Sequence, residues 1–480
     1  MTSAAKNEFA SNSSSMPDTT PTTKPRAQRL ADGKNLRDAI PRSSHAVWKP
    51  PVSRADIVAI LEESNHDRLP NLIPLRFARM LQSPLAFLRG SAAVMAADLA
   101  VLPTTNIRVQ VCGDCHLQNF GWFATPERNL IFDITDFDES RQAPWEWDVK
   151  RLVASVVLAS RELQVPAPEE IQKQLGRATA KSYREHLAQF EAMSPLELWY
   201  MRLDAAELMK RSPDIGSKTR CQQIIDAASK RTIDQLLPKI THRDHNNQLQ
   251  LKDHPPLISH PTQFEPLLKE IHGLIQQYRG TLSDERRVLL DRYQMVDVAY
   301  KVVGVGSVGL RCGIILMLDP DDAALVLQIK EARASVLEKF VGKSVRTHHG
   351  HRIVHGQRLM QAASDQFLGW ANDSEGRGYY FRQLRDMKLS MDTSQMSTSD
   401  LEEYAQLCGW GLARAHAKAG DPSTISGYLG SGEAFDEALG EFGIAYADQS
   451  ESDFETLKAA AKSGRIPVAS DPGLKKGSLD

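Results

Sequence analysis

The spacing of apolar positions changes along this chain, and the changes divide it. Residues 1–50 are rich in Ser, Thr, Pro and Lys and poor in large apolar side chains, so they read as a disordered tail. From Arg54 the spacing turns helical. Residues 56–64 predict a short helix. Residues 73–102 carry apolar side chains at 77, 80, 81, 85, 88, 92, 95 and 99, every third or fourth place, with a break expected near Pro84. Residues 107–111 alternate as a strand does, a turn-rich segment spans 113–128, and 129–134 read as a second strand. Residues 147–163 predict an amphipathic helix, with further helices through 237. The polar, His- and Pro-containing stretch 241–261 predicts a loop or insertion.

Near Val296 the period shifts from helical to two. Residues 297–303, 310–318 and 324–330 predict three strands, 350–363 a helix, and 366–371 and 379–384 two more strands. A helix over 401–419 ends at Gly420, and the Gly/Pro/Lys-rich end from 464 is expected to fray. The fold class is α+β: a disordered tail at 1–50, a helical part at 51–295, a β-rich part at 296–390, helices returning to the larger part at 391–465, and a flexible tail at 466–480. No internal repeat is visible.

Composition narrows the class without naming a chemistry. The chain has 480 residues, enough for two or three folding units, and is 41% hydrophobic and 25% charged. A formal net charge of −2 implies no bulk attraction to nucleic acid or an anionic membrane. No apolar run is long enough to span a bilayer. The first residues lack the apolar core of a secretory signal, and five scattered cysteines make no disulfide framework, so a reducing cytoplasm is expected.

Candidate chemistry starts at residues 109–121, VQVCGDCHLQNFG. Cys112, Cys115 and His116 have the C-x-x-C-H spacing of c-type haem attachment, which a reducing compartment disfavours. Centred on Asp114, the same stretch has another meaning. Asn119 lies five residues on, and a strand ending ITDFD supplies Asp133, Asp136 and Asp138. A loop acid, an Asn and a strand-terminal Asp suit phosphoryl transfer, which needs an acid at the acceptor hydroxyl and hard oxygen ligands for Mg²⁺. Gly304, Gly306 and Gly309, with Ser307, lie between two β-like runs, where bare backbone amides can approach phosphates. Lys330 ends the next apolar run, as a nucleotide-contacting lysine does. Arg76, Arg79 and Arg89 are candidate anion binders, and His351 and His355 are spaced as a helical metal pair.

Cys112-Gly113-Asp114-Cys115-His116-Leu117-Gln118-Asn119 and Thr135-Asp136-Phe137 resemble the catalytic and metal segments of the aminoglycoside phosphotransferase and choline kinase branch of the protein-kinase-like superfamily. Cys112 stands where that branch has a His. The resemblance implies ATP and Mg²⁺ as cofactors and a small-molecule or protein hydroxyl as acceptor. It makes Asp114 the catalytic acid/base and Asn119 and Asp136 the Mg²⁺ ligands, and it places Gly304, Gly306, Ser307, Gly309 and Lys330 on the nucleotide. Asp148, 12 residues beyond Asp136, and His116 become structural supports; Asp138 and Arg89 are secondary candidates. Residues 350–363 hold no acid, so Gln357 or Glu338 is the expected partner of Lys330. AMP transfer and non-catalytic nucleotide binding stay open. Because the glycine loop follows the catalytic loop, the implied two-lobe kinase-like fold is circularly permuted, with a small antiparallel β lobe and a larger helical one. Segments such as RFARMLQSPLAFLRGSAAVMAADLA, PWEWDVKRL, GVGSVGLRC and ARAHAKAGD also identify the chain as similar to the bacterial domain of unknown function 2252 family.

Overall fold

The strand Cys312–Leu318 sends alternate residues to opposite faces of a sheet. Ile315 and Met317 pack with Leu327, Phe381 and Tyr278 on one face, while Ile314 and Leu316 pack with Val326, Leu236 and Ile240 on the other. Both faces are buried, which explains why the run GIILML is apolar throughout. The computed structural model describes residues 24–211, 215–260, 265–302, 304–384 and 387–469, and its architecture is mixed α and β with antiparallel sheets. The largest sheet has the order Gly369–Asn372, Gly378–Gln383, Ala324–Ala332, Cys312–Leu318, Gln294–Lys301 and Ile258–Ser259. Helix Glu265–Gly280 covers one face and helix Ile233–Ile240 the other.

Two sequence expectations need correction here. The stretch 241–261 is not a plain loop: Thr241–Arg243 pairs with Leu249–Leu251, and Ile258–Ser259 forms the edge of the large sheet. Its strands are two or three residues long, too short for a period-two signal. Within the expected tail, Arg26–Ala39 is a helix that packs on Pro422–Leu429. Ion pairs hold it, Arg29 to Asp421 at 2.5 Å and Arg26 to Glu191 at 2.5 Å, and its Gly33 lies against the Thr424 carbonyl. Neither charge pairing nor close backbone approach leaves a mark in hydropathy. The rest of that tail, 1–23, and the end at 470–480 lie outside the described residues.

The larger core surrounds helix Trp145–Arg161, which is buried from Trp145 to Ser160 and packs against Glu169–Glu191 and Ala434–Lys462. Its buried Glu146 accepts from the Thr105 amide at 2.7 Å and the Thr104 hydroxyl at 2.7 Å, so the carboxylate is met without a cation. The helical run after residue 72 breaks into Ile73–Met80, Pro84–Gly90 and Ala92–Leu99, with Ser83 capping the second. No helix among the described residues is long and apolar enough to cross a membrane.

Two small antiparallel pairs position the chemistry. Arg108–Val111 pairs with Arg141–Pro144, and Phe120–Ala124 pairs with Leu130–Ile134. Strand Phe120–Ala124 falls in the segment read as turns, because glycine and polar neighbours mask its five residues. The large sheet is an insertion between helical segments. The chain first touches it at the edge strand Ile258–Ser259, runs its other five strands after Asp284–Leu290, and leaves through Leu389–Ser390, which pairs with Phe120–Ala124. Arg385 and Asp386, just after the last strand of the sheet, lie outside the described residues.

Candidate active site

Strand Arg108–Val111 ends at Cys112, and the chain turns sharply at Gly113 (φ +81°). A Cβ there would stand 2.4 Å from the Glu139 carbonyl oxygen, so only glycine fits. The amides of Cys112 and Gly113 donate to the Asp148 carboxylate at 2.8 and 3.0 Å. Asp148 is buried in the first turn of Trp145–Arg161, and His416 Nε2 lies 3.3 Å from it. The other ring nitrogen of His416 meets the Tyr183 hydroxyl at 2.9 Å. One carboxylate thus fixes the backbone that presents the next residue, Asp114.

Asp114 is held from two sides. Arg151, one turn beyond Asp148 on the same helix, donates its Nε to Asp114 Oδ1 at 2.7 Å. The Asp114 carbonyl accepts from Asn119 Nδ2 at 2.7 Å. With its Nδ2 so engaged, the Asn119 side chain keeps its Oδ1 as an acceptor or ligand. The hairpin register sets Phe120 opposite Ile134, and the Thr135 amide donates to the Asn119 carbonyl at 2.8 Å. Asn119 and Asp136 are neighbours for this reason. His116 is buried, with Nε2 3.7 Å from Asp114 Oδ2. Burial first, then the charges of Arg89 and Arg151, push its pKa well below the ordinary range, so the ring is neutral.

The two acids after the hairpin are driven apart. Burial, then the nearby Asp138 carboxylate, raise the Asp136 carboxyl. Burial also works against ionisation of Asp138, but the Lys330 ammonium and the Tyr380 hydroxyl outweigh it and hold that carboxyl down. Lys330 forms a short ion pair with Asp138 Oδ2; Tyr380 donates to Oδ1 at 2.9 Å and Ser307 to Oδ2 at 3.3 Å. Asp138 therefore collects the glycine-rich segment and two strands of the large sheet on one carboxylate.

This corrects the expected partner of Lys330. Gln357 donates instead to Gln361, whose amide reaches the Ile134 carbonyl, and Glu338 lies 3.9 Å from Arg141. Helix His349–Met360 does reach the site, through a residue the sequence reading missed. Arg352 donates to the carbonyls of Asp138 and Arg333, each at 2.8 Å, and to that of Ser140. Arg151 and Tyr380 were missed too. Each has a signal in hindsight: Arg151 is three residues from Asp148 on one helix, and Tyr380 is the cross-strand partner of Lys330.

Gly304 (φ +58°) and Gly309 (φ +89°) need left-handed backbone, and a Cβ on Gly304 would meet nothing within 4 Å. The segment rests on the early helices: Leu69 N donates to the Gly309 carbonyl at 2.8 Å, and Arg79 donates to the Gly304 carbonyl. A cleft of about 140 Å³ is lined by Arg76, Arg89, Asp114, His116, Asn119, Asp136, Asp138, Gly304, Gly306 and Ser307. Residues more than 160 positions apart in sequence thus face one space.

The competing sequence readings find little support in this geometry. Cys112, Cys115 and Asp148 are the one His/Cys/Asp/Glu group among the described residues close enough to share a metal. The Asp148 oxygens already accept two amides, and burial raises the Cys112 thiol well above its ordinary value and the Cys115 thiol to about 11. Both thiols are fully buried, leaving no room for a haem edge. His351 stacks on Trp370 at 4.2 Å, and its ring centroid is 6.5 Å from that of His355.

Over residues 68–460 the chain matches the model of a family described as "Uncharacterized protein conserved in bacteria (DUF2252)". No curated protein and no solved structure matches it.

Proposed function

The chain belongs to the DUF2252 family, and we propose that it is an ATP- and Mg²⁺-dependent phosphotransferase on a circularly permuted, protein-kinase-like fold. The observation that carries this reading is the shared cleft: Asp114, Asn119 and Asp136 face the same space as Gly304, Gly306 and Ser307, with Lys330 tied to Asp138 beside them. Each part has a role in phosphoryl transfer, which is mostly positioning and charge neutralisation.

The donor set fits the implied metal. Asn119 can offer its side-chain Oδ1 because its Nδ2 is engaged, and the raised Asp136 carboxyl is the kind a divalent cation returns to its ionised form. A bound Mg²⁺ would neutralise phosphate oxygens there. Asp114 would take the proton of the acceptor hydroxyl as its oxygen forms the new bond to the γ-phosphorus and the bond to the β–γ bridging oxygen breaks, releasing ADP. Lys330, held protonated because the Asp138 charge outweighs its burial, would serve the phosphates. The cleft is too narrow for a whole nucleotide, so entry requires the glycine-rich segment to lift from the Ile73–Gly90 helices.

The test is ATP turnover by the purified full chain with Mg²⁺ and a panel of hydroxyl acceptors. Asp114→Ala should bind ATP with little change and lose about 10²–10⁴-fold in transfer rate. Asp136→Asn should lose Mg²⁺-dependent ATP binding. Transfer that survives Asp114→Ala would falsify the assignment.

A further inference from the structure

Buried charges normally sit beside opposite ones. Two guanidiniums of this cleft hydrogen-bond no carboxylate. Arg76 is 2% exposed; it donates to Asn65 Oδ1 at 2.7 Å and the Gly90 carbonyl at 2.7 Å, and its Nε has no partner. Arg68, half-buried against Gly309, donates to the Val308 carbonyl at 2.5 Å and the Ser64 carbonyl at 3.3 Å. Among the described residues, every one of these acceptors is neutral. Burial, then the repulsion of Arg68 and Arg333, lowers the Arg76 pKa well below its usual range; burial, then Arg333, lowers Arg68 to about 10.

The acids lining the same cleft form no ion pair with either arginine, although the Glu139 charge attracts both. Asp114 is paired with Arg151, Asp138 with Lys330 and Glu331 with Arg311, while Glu139 accepts the Val336 amide and Asp136 the Asp138 amide. Arg76 is also placed by the same short stretch that steadies Asp114. Arg151 donates to the Leu88 carbonyl, and Arg76 to that of Gly90 two residues on. Arg68 and Arg76 line the same cleft as Asp114.

We propose that Arg76 and Arg68 form an anion subsite, and that the acceptor is a small molecule whose own phosphate or carboxylate group binds there. This rests on the phosphotransferase reading. Two guanidiniums with vacant or weakly used donors match such a group in charge and geometry. The anion relieves their mutual repulsion and orients the acceptor hydroxyl toward Asp114.

Inorganic phosphate is the probe. The full chain is titrated with it by calorimetry, with and without a saturating non-hydrolysable ATP analogue and Mg²⁺. Phosphate should bind in both conditions. Arg76→Gln should weaken it about tenfold while leaving the analogue's affinity within about twofold. Since Arg76 is buried, Arg68→Gln is measured in parallel with circular dichroism on each variant, and a folded Arg68→Gln should weaken phosphate similarly. If the analogue displaces phosphate and Arg76→Gln weakens the analogue, the arginines hold the nucleotide and the acceptor assignment is overturned. Absence of phosphate binding to the unaltered chain removes the subsite altogether. If the analogue never binds but phosphate still requires Arg76, the nucleotide reading fails and the subsite stands.

Discussion

The Lys330 ammonium and the Asp138 carboxylate form an ion pair that joins the large sheet to the segment following Asp136. Lys330 has a side chain only 3% exposed, while that of Asp138 is 21% exposed. Breaking such a pair strands a charge in a poor solvent, whereas removing both charges does not. Lys330→Met and Asp138→Asn should each lower unfolding stability by about 2–4 kcal/mol in denaturant titrations. The double variant should cost less than the two added together. Strict additivity would show that the pair is not coupled in solution.

Asp148→Asn replaces a two-oxygen acceptor with one oxygen and an NH₂ group that faces another donor. One of the Cys112 and Gly113 amides loses its partner. We expect a loss of about 1–3 kcal/mol, and faster hydrogen exchange at those two amides than at the neighbouring strand. Unchanged exchange at both would show that Asp148 does not hold the loop.

Lys150 is buried beside Phe442, with its Nζ 4.7 Å from the ring centroid. Burial lowers its pKa to about 8, against an ordinary 10.5, and Glu146 opposes this only partly. Below pH 8 both folded and unfolded chains hold the proton, so the penalty is constant. Between pH 8 and 10.5 the unfolded chain binds more protons, so stability rises with pH. Lys150→Met should stabilise the protein at pH 7 by up to about 3 kcal/mol and flatten that rise. Melting curves at pH 7, 8, 9 and 10 read both effects.

A Cβ on Gly33 would lie 2.0 Å from the Thr424 carbonyl oxygen. Gly33→Val should undock helix Arg26–Ala39 while leaving the remaining core folded. Limited proteolysis would then cut within residues 24–46, and the main unfolding midpoint would move little. Protection equal to that of the unaltered chain would mean that the helix tolerates the side chain.

The sequence was most informative where one local rule decides the outcome. Short apolar runs bounded by turn residues marked Cys312–Leu318 and Ala324–Ala332, and Pro84 marked the start of Pro84–Gly90. The acids and glycines that line the cleft were visible because their residue types and spacing are unusual together. What stayed hidden depends on contacts between distant segments. Asp138 meets Lys330 across 192 positions, and Arg352 meets the backbone of Asp138 across 214. Spacing carries no record of such meetings. Helix Arg26–Ala39 was hidden for a related reason, since its few apolar residues make a weak stripe and its anchors are charges on other helices.

The insertion of the large sheet between helical segments has a mechanical consequence. Five of the sheet's six strands lie between Leu290 and Leu389 and join the rest of the chain through two covalent straps; the sixth, Ile258–Ser259, comes earlier and pairs along the edge with Gln294–Lys301. A plate on one joint can swing and twist freely; a plate on two straps keeps one easy axis, the line between them. The glycine-rich segment lies on the same block and rests against the early helices through Leu69 and Arg79. The pairing of Leu389–Ser390 with Phe120–Ala124 pins one end of the axis to the strand that follows Asn119, so the pivot and the acid loop share a support.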